Sequence, residues 1–203
     1  MATDIEELSD STFRVTFDET ENIETTLTAS GDEVESWISN ILRLSNRFVV
    51  GIDVEWRPSF SRYQNPVALL QLCVGHHCLI FQLLHADYIP GSLENFLSDP
   101  SFTFVGVGIN GDVERLAEER DLSVCNAVDL RELAAERMGR NEMRQKGLAA
   151  LAMEVMGVQV SKPRRVRMGR WDQFYLTMDQ IKYACIDAFL SFEIGRRLYD
   201  GDF

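Results

Sequence analysis

Long apolar runs are missing from this 203-residue sequence. No stretch approaches the roughly 18 consecutive apolar residues that a membrane-spanning helix needs. Basic residues are scarce: 20 Lys and Arg stand against 32 Asp and Glu, a formal net charge of −12. A chain this acidic repels long duplex DNA through its overall field. Any handling of nucleic acid must therefore use a local basic patch, a metal site or a partner. Cysteines number four, Cys73, Cys78, Cys125 and Cys185, all in apolar contexts. The acidic, polar start MATDIEELSD reads as neither a secretory signal nor a transit peptide. Reduced core thiols and a cytoplasmic location, extending to the nucleus, are the expectation.

Repeats and low-complexity segments are also absent. What remains is 45% apolar and 26% charged, close to the globular average. Residues 1–10 read as a flexible acidic N-terminus and 11–203 as a single domain. FRVTF (13–17) and IETTLT (23–28) alternate apolar and polar residues around a turn, the pattern of a β-hairpin. A helix follows over 34–42. FVVGIDVEW (48–56) reads as a strand buried on both faces, and 56–66 as a loop. VALLQLCV (67–74) and HCLIFQL (77–83) flank Gly75 as a tight hairpin. FTFVGVG (102–108) is another buried strand, and helices are expected at 91–98, 111–120, up to Met138, and 147–156. A long helix covers 178–199, with Thr177 and Gln180 as a capping box. Strands first, then helices interleaved, indicate an α/β fold: a mixed sheet flanked by helices.

Three acidic features interrupt apolar surroundings. Asp53 and Glu55 in GIDVEW are two apart on a strand, so both point to one face. Two buried carboxylates repel each other and demand a positive partner, whether Lys, Arg or a metal. Asp112, in GVGINGD, stands at the start of a helix, where one carboxylate also complements the helix dipole. Tyr183 and Asp187, in YACIDA, share one face of an apolar helix and would satisfy each other by a hydrogen bond. Taken together, four carboxylates on three elements can form a cage of hard oxygen ligands for Mg²⁺ or Mn²⁺. Two such ions per site serve phosphoryl transfer, with Tyr183 placed to orient or help deprotonate an attacking water.

GIDVEW, GVGINGD and YACIDA, in this order, resemble the three motifs of the DEDDy 3′–5′ exonucleases of the ribonuclease H-like fold. The resemblance covers roughly residues 30–200. It is nearest to the Werner-type exonuclease domain, and there to small plant members such as the RISC-interacting clearing exoribonucleases. It implies that Asp53, Glu55, Asp112 and Asp187 bind metal and that Tyr183 orients the water. It also implies a nucleic-acid 3′ end as substrate, with 5′-mononucleotides as product. The small plant members further imply self-association, with a ring hexamer as one form, and contact with Argonaute-type proteins of RNA silencing. Single-stranded RNA is the favoured substrate. A Werner-type DNA exonuclease is the alternative, and a catalytically silent nucleic-acid-binding module the second. The segment before the last helix departs from the family: Lys162 and Trp171 match, but Gly169-Arg170 replaces Ser-Asn.

KPRRVRMGR gathers Lys162, Arg164, Arg165, Arg167 and Arg170, five of the 20 basic residues. Pro163 and Gly169 keep it non-helical in this reading. It is the candidate grip on a single strand. A solvated loop and a nuclear-import signal are its other readings. Trp56 is placed either to stack a terminal base or to fill the core. Phe60 and Tyr63 are weaker stacking candidates. Cys73, His76, His77 and Cys78 are too crowded in one turn to hold zinc together. His85 has no evident partner. The glycines of GVGING lack the dinucleotide-fingerprint spacing, and no Walker lysine accompanies them.

Overall fold

A computed structural model describes residues 4–44, 49–59 and 61–203. The β-branched and apolar runs assemble into one eight-stranded sheet: β1 (Asp4–Glu7), β2 (Thr12–Phe17), β3 (Glu21–Thr28), β4 (Val49–Trp56), β5 (Val67–Val74), β6 (His77–Phe81), β7 (Thr103–Gly106) and β8 (Ala127–Asp129). Their spatial order is β1-β2-β3-β6-β5-β4-β7-β8. Strands β1 to β3 are antiparallel, as are β6, β5 and β4. The pairs β3–β6, β4–β7 and β7–β8 are parallel.

Alternation along the strands sorts the helices. Val50, Ile52 and Val54 of β4 face one core, shared with α1 (Gly31–Leu44), α2 (Gly91–Ser98) and α3 (Ile109–Arg120). The opposite face packs on α4 (Leu130–Met138), α5 (Leu148–Met156) and α7 (Met178–Asp200). Asp53 and Glu55 are on that second face, because side chains two apart on a strand share a side. Helix α7 is buried nearly all round from Gln180 to Gly195. Its start carries the expected capping box between Thr177 and Gln180.

Gly51 sets how close α7 comes. A Cβ there would lie 2.1 Å from the Ala188 carbonyl oxygen and 2.5 Å from the Phe192 nitrogen. Only a residue without a side chain lets the helix backbone touch β4 and brings Asp187, next to Ala188, over Asp53.

Two expectations are corrected. Asp4–Glu7 are a strand paired with Phe13–Thr16, not a tail without partners. An edge strand needs only its neighbour's backbone, so its charged side chains do not betray it. The basic segment is not wholly non-helical either. Arg164–Arg167 form the short helix α6, with Pro163 as its extended N-cap residue and Val166 buried beneath it. Proline costs nothing at a helix start, where its missing N–H would be unpaired anyway. The thiols of Cys73, Cys78 and Cys185 are buried and free, and Cys125 is free and partly exposed.

Candidate active site

Strand β4 and helix α7 bring three carboxylates together. One oxygen each from Asp53, Glu55 and Asp187 lies within 4.8 Å of the others. Burial pushes Asp53 well up, and the Asp187 charge adds to it. Burial likewise raises Glu55, followed by Asp53. Asp187 is raised by burial against the opposing pull of Lys162. Asp112 stands outside this trio, on the first turn of α3. Burial lifts it to about 7 although Arg115 pulls it down, and its charge raises Asp53 in turn.

The Asp112 turn has a support that the sequence reading missed. Asp129, buried at the end of β8, accepts the Gly108 N–H at 3.0 Å and the Arg131 N–H at 2.9 Å. It thereby ties the β7–α3 turn to the cap of α4. The signal was a helix N-cap aspartate after a short strand, which is common and says nothing of a site.

Lys162 lies closer to the acids than a loop lysine would. Its Nζ is 2.7 Å from Asp187 Oδ2 and 5.2 Å from the Tyr183 ring centroid. Tyr183 lies within electrostatic reach of Asp187, and its ring packs on buried Trp171 at 5.8 Å. Burial, then Asp187, push the Tyr183 hydroxyl upward, so the phenol keeps its proton at neutral pH.

The remaining basic residues divide. Arg165 pairs with Asp179 at 2.6 Å, and Arg170 approaches Asp172 at 3.6 Å. Arg164 and Arg167 are exposed and make no ion pair among the described residues. Gly169 closes the turn after α6. A Cβ there would meet the Val166 carbonyl oxygen at 2.8 Å, so the turn favours a residue without a side chain.

Trp56 packs partly buried against the α1–α3 core. The Arg115 guanidinium covers its ring at 4.3 Å, a long-range contact that no local pattern signals. Tyr63 is exposed, with Arg62 over its ring, and Phe60 lies outside the described residues. His85 does have a partner: its Nε2 lies 3.0 Å from the Asp172 carbonyl oxygen.

The donor set fits a hard divalent cation. It is all oxygen, gathered at one end of β4, and its burial and mutual repulsion oppose ionisation. Among the described residues, Lys162–Asp187 is the only ion pair made by these four acids. One ammonium is too little positive charge for them.

A family model described as a 3′-5′ exonuclease matches residues 27–200. A 3′-5′ exonuclease of Arabidopsis thaliana is 35% identical over 154 residues, which cover 74% of this chain and 52% of that protein. The bifunctional 3′-5′ exonuclease/ATP-dependent helicase WRN of Mus musculus is 34% identical over 159 residues, 77% of this chain and 11% of that one. The chain thus spans about half of the first relative and a small part of the second. Escherichia coli RNase D, an exoribonuclease involved in structured RNA processing, superposes with a TM-score of 0.73 at 21% identity. The match covers 87% of this chain and 44% of that one, and it is a likeness of fold. The EXD2 exonuclease domain soaked in Mg and GMP gives a TM-score of 0.52 at 26% identity, covering 87% and 89%.

Proposed function

The chain belongs to the 3′–5′ exonuclease family, and we propose that it removes 5′-mononucleotides from the 3′ end of short single-stranded RNA. The observation that carries this reading is the carboxylate trio of Asp53, Glu55 and Asp187, with Asp112 facing it. These four would hold Mg²⁺ or Mn²⁺. Two such ions, when bound, supply Lewis acidity at the attacking and leaving oxygens of a phosphodiester.

The chain's own groups have separable tasks. Asp53 and Glu55 hold their oxygens on one face of a rigid strand, so the cage needs little reorganisation. Tyr183 stays a neutral phenol and orients the attacking water by a hydrogen bond; its upward shift favours orienting over proton abstraction. Lys162 anchors Asp187 and screens the acids from one another. Exposed Arg164 and Arg167 attract the phosphates of the incoming strand, with Arg165 and Arg170 beside them.

The acidic surface supports a short single strand over a duplex, because a basic patch this small binds only a few phosphates. Resemblance to the plant RNA-trimming members supports RNA over DNA. By the same resemblance the enzyme is a homo-oligomer, up to a hexamer, in contact with Argonaute-type proteins; its reduced cysteines support a cytoplasmic location, extending to the nucleus. Light scattering tests the assembly, and a monomer would remove it.

A 5′-labelled RNA and a DNA of the same sequence, offered with Mg²⁺, Mn²⁺ or EDTA, test the activity. The expected result is a metal-dependent ladder shortening from the 3′ end, faster on RNA and absent for Asp53→Ala. A faster DNA ladder would assign the alternative substrate. No ladder on either would leave a binding module.

A further inference from the structure

Strand β5 is buried along its whole length, and Gln71 is the one strongly polar residue in it. Its side chain is fully enclosed, and neither its Oε1 nor its Nε2 has a hydrogen-bond partner among the described residues. The other buried glutamines are bonded. Gln82 donates to the Phe174 carbonyl at 2.7 Å. Gln180 accepts from Gln173 and Thr177 and donates to the Arg170 carbonyl. An unpaired buried amide is worse for folding than an apolar side chain of the same shape. Gln71 therefore calls for a reason other than stability.

Its register supplies one. Gln71 stands directly opposite Asp53 in the β4–β5 ladder, so both point to the same face of the sheet. Ile80 stands opposite it on β6, and Leu69 and Cys73 flank it along β5. These three belong to the core beneath α7 and offer an amide no strong partner. Asp53 is the carboxylate within that set.

We infer that Gln71 is a positioning residue for Asp53: the two stand opposite each other but do not bond in this structure, and the free amide directs the carboxylate once a divalent cation draws it into place. The inference rests on the metal-dependent reading above. A neutral donor suits this task better than a cation. It favours the ionised acid and directs one oxygen, yet brings no charge to oppose the incoming ion. Asp187 has the other kind of partner, the Lys162 ammonium.

Calorimetric Mn²⁺ titration of the wild type, Gln71→Met, Gln71→Leu and Asp53→Asn separates the possibilities, with metal-free Tm measured alongside. Both Gln71 variants keep an apolar side chain of similar size, so two independent packings test one lost amide. Expected is Mn²⁺ binding weakened by about 10-fold in both, the low end for losing a partner of a metal ligand. Their metal-free Tm should equal or exceed that of the wild type. Wild-type Mn²⁺ affinity in both variants overturns the inference and leaves the reading of the site intact. A fall in metal-free Tm with unchanged affinity assigns Gln71 to packing and also overturns it. If wild type and Asp53→Asn bind Mn²⁺ alike, the metal site itself is misread and the inference falls with it.

Discussion

Asp187 and Glu193 lie on the same helix, six residues apart, and the chain treats them in opposite ways. Both are well covered, with side-chain exposures of 4% and 14%. Burial pushes both upward. At Glu193 the push is overcome: Arg196 donates two hydrogen bonds at 2.7 Å and Arg197 one at 2.8 Å, and the group ends below its ordinary value. At Asp187 a single lysine does not overcome it, and the group stays raised. Burial therefore does not decide the fate of an acid on α7; the supply of guanidinium does. Arginine is available elsewhere on the helix and withheld where Asp53 and Glu55 stand opposite. Acids left short of counter-charge mark a site for something absent from the polypeptide.

The largest test of that contrast is Asp53→Asn. It should lower nuclease activity by about 10³-fold or more through the lost ligand. It should also raise the metal-free Tm, because repulsion among the acids falls. Lower activity together with lower metal-free Tm would mean that Asp53 is paired like Glu193.

Glu193→Gln reverses the sign of the stability change and leaves the rate alone. Loss of the charged bonds to Arg196 and Arg197 should cost about 1–3 kcal/mol in denaturant unfolding. The rate at saturating Mg²⁺ should not change. A rate loss at full folding would tie the far end of α7 to the chemistry.

Stability against pH sharpens the same comparison. Asp53, Glu55, Asp112 and Asp187 have folded values above their unfolded ones. Their contribution is whole below the ordinary carboxylate range and is lost as pH rises through the folded values, about 7 for Asp112. Glu193 is depressed, so its contribution is lost as pH falls through its lowered value. The metal-free protein should thus lose several degrees of Tm between about pH 5 and about pH 8. Mg²⁺ at the upper pH should restore them. A flat metal-free profile would contradict the raised values.

The smallest effect separates paired from unpaired cations near the site. Arg164→Ala with Arg167→Ala should weaken single-strand binding a few-fold and flatten its salt dependence by about 0.7 per lost phosphate contact. Arg165→Ala with Arg170→Ala should do less, since Asp179 and Asp172 already engage those two. Equal slopes for the two pairs would make ion pairing irrelevant to the patch.

The acids were legible in the sequence because a carboxylate inside an apolar run is costly and therefore informative. Asp53, Glu55 and Asp187 each stand in such a run. Gln71 stands in one too, but an amide carries no charge and passes as a tolerated polar residue. Alternation and helical periodicity located most strands and helices. They missed Asp4–Glu7, whose pairing depends on a neighbour rather than on its own pattern. They also missed Arg164–Arg167, a helix of one turn bounded by the residues that usually signal a break. The Arg115–Trp56 stack and the Asp129 tie to Gly108 join segments far apart in the chain. Only the folded arrangement reveals such contacts.

Gly51 carries a consequence for how this activity can be lost. The gap between β4 and α7 is one hydrogen atom wide at that point. A methyl group placed there would act as a wedge and lift Asp187 off Asp53 while every carboxylate and Tyr183 stayed in the sequence. An allele of that kind would pass a check of the four acids and still be silent. Position 51 thus deserves the same scrutiny as the acids when a variant of this chain is judged competent.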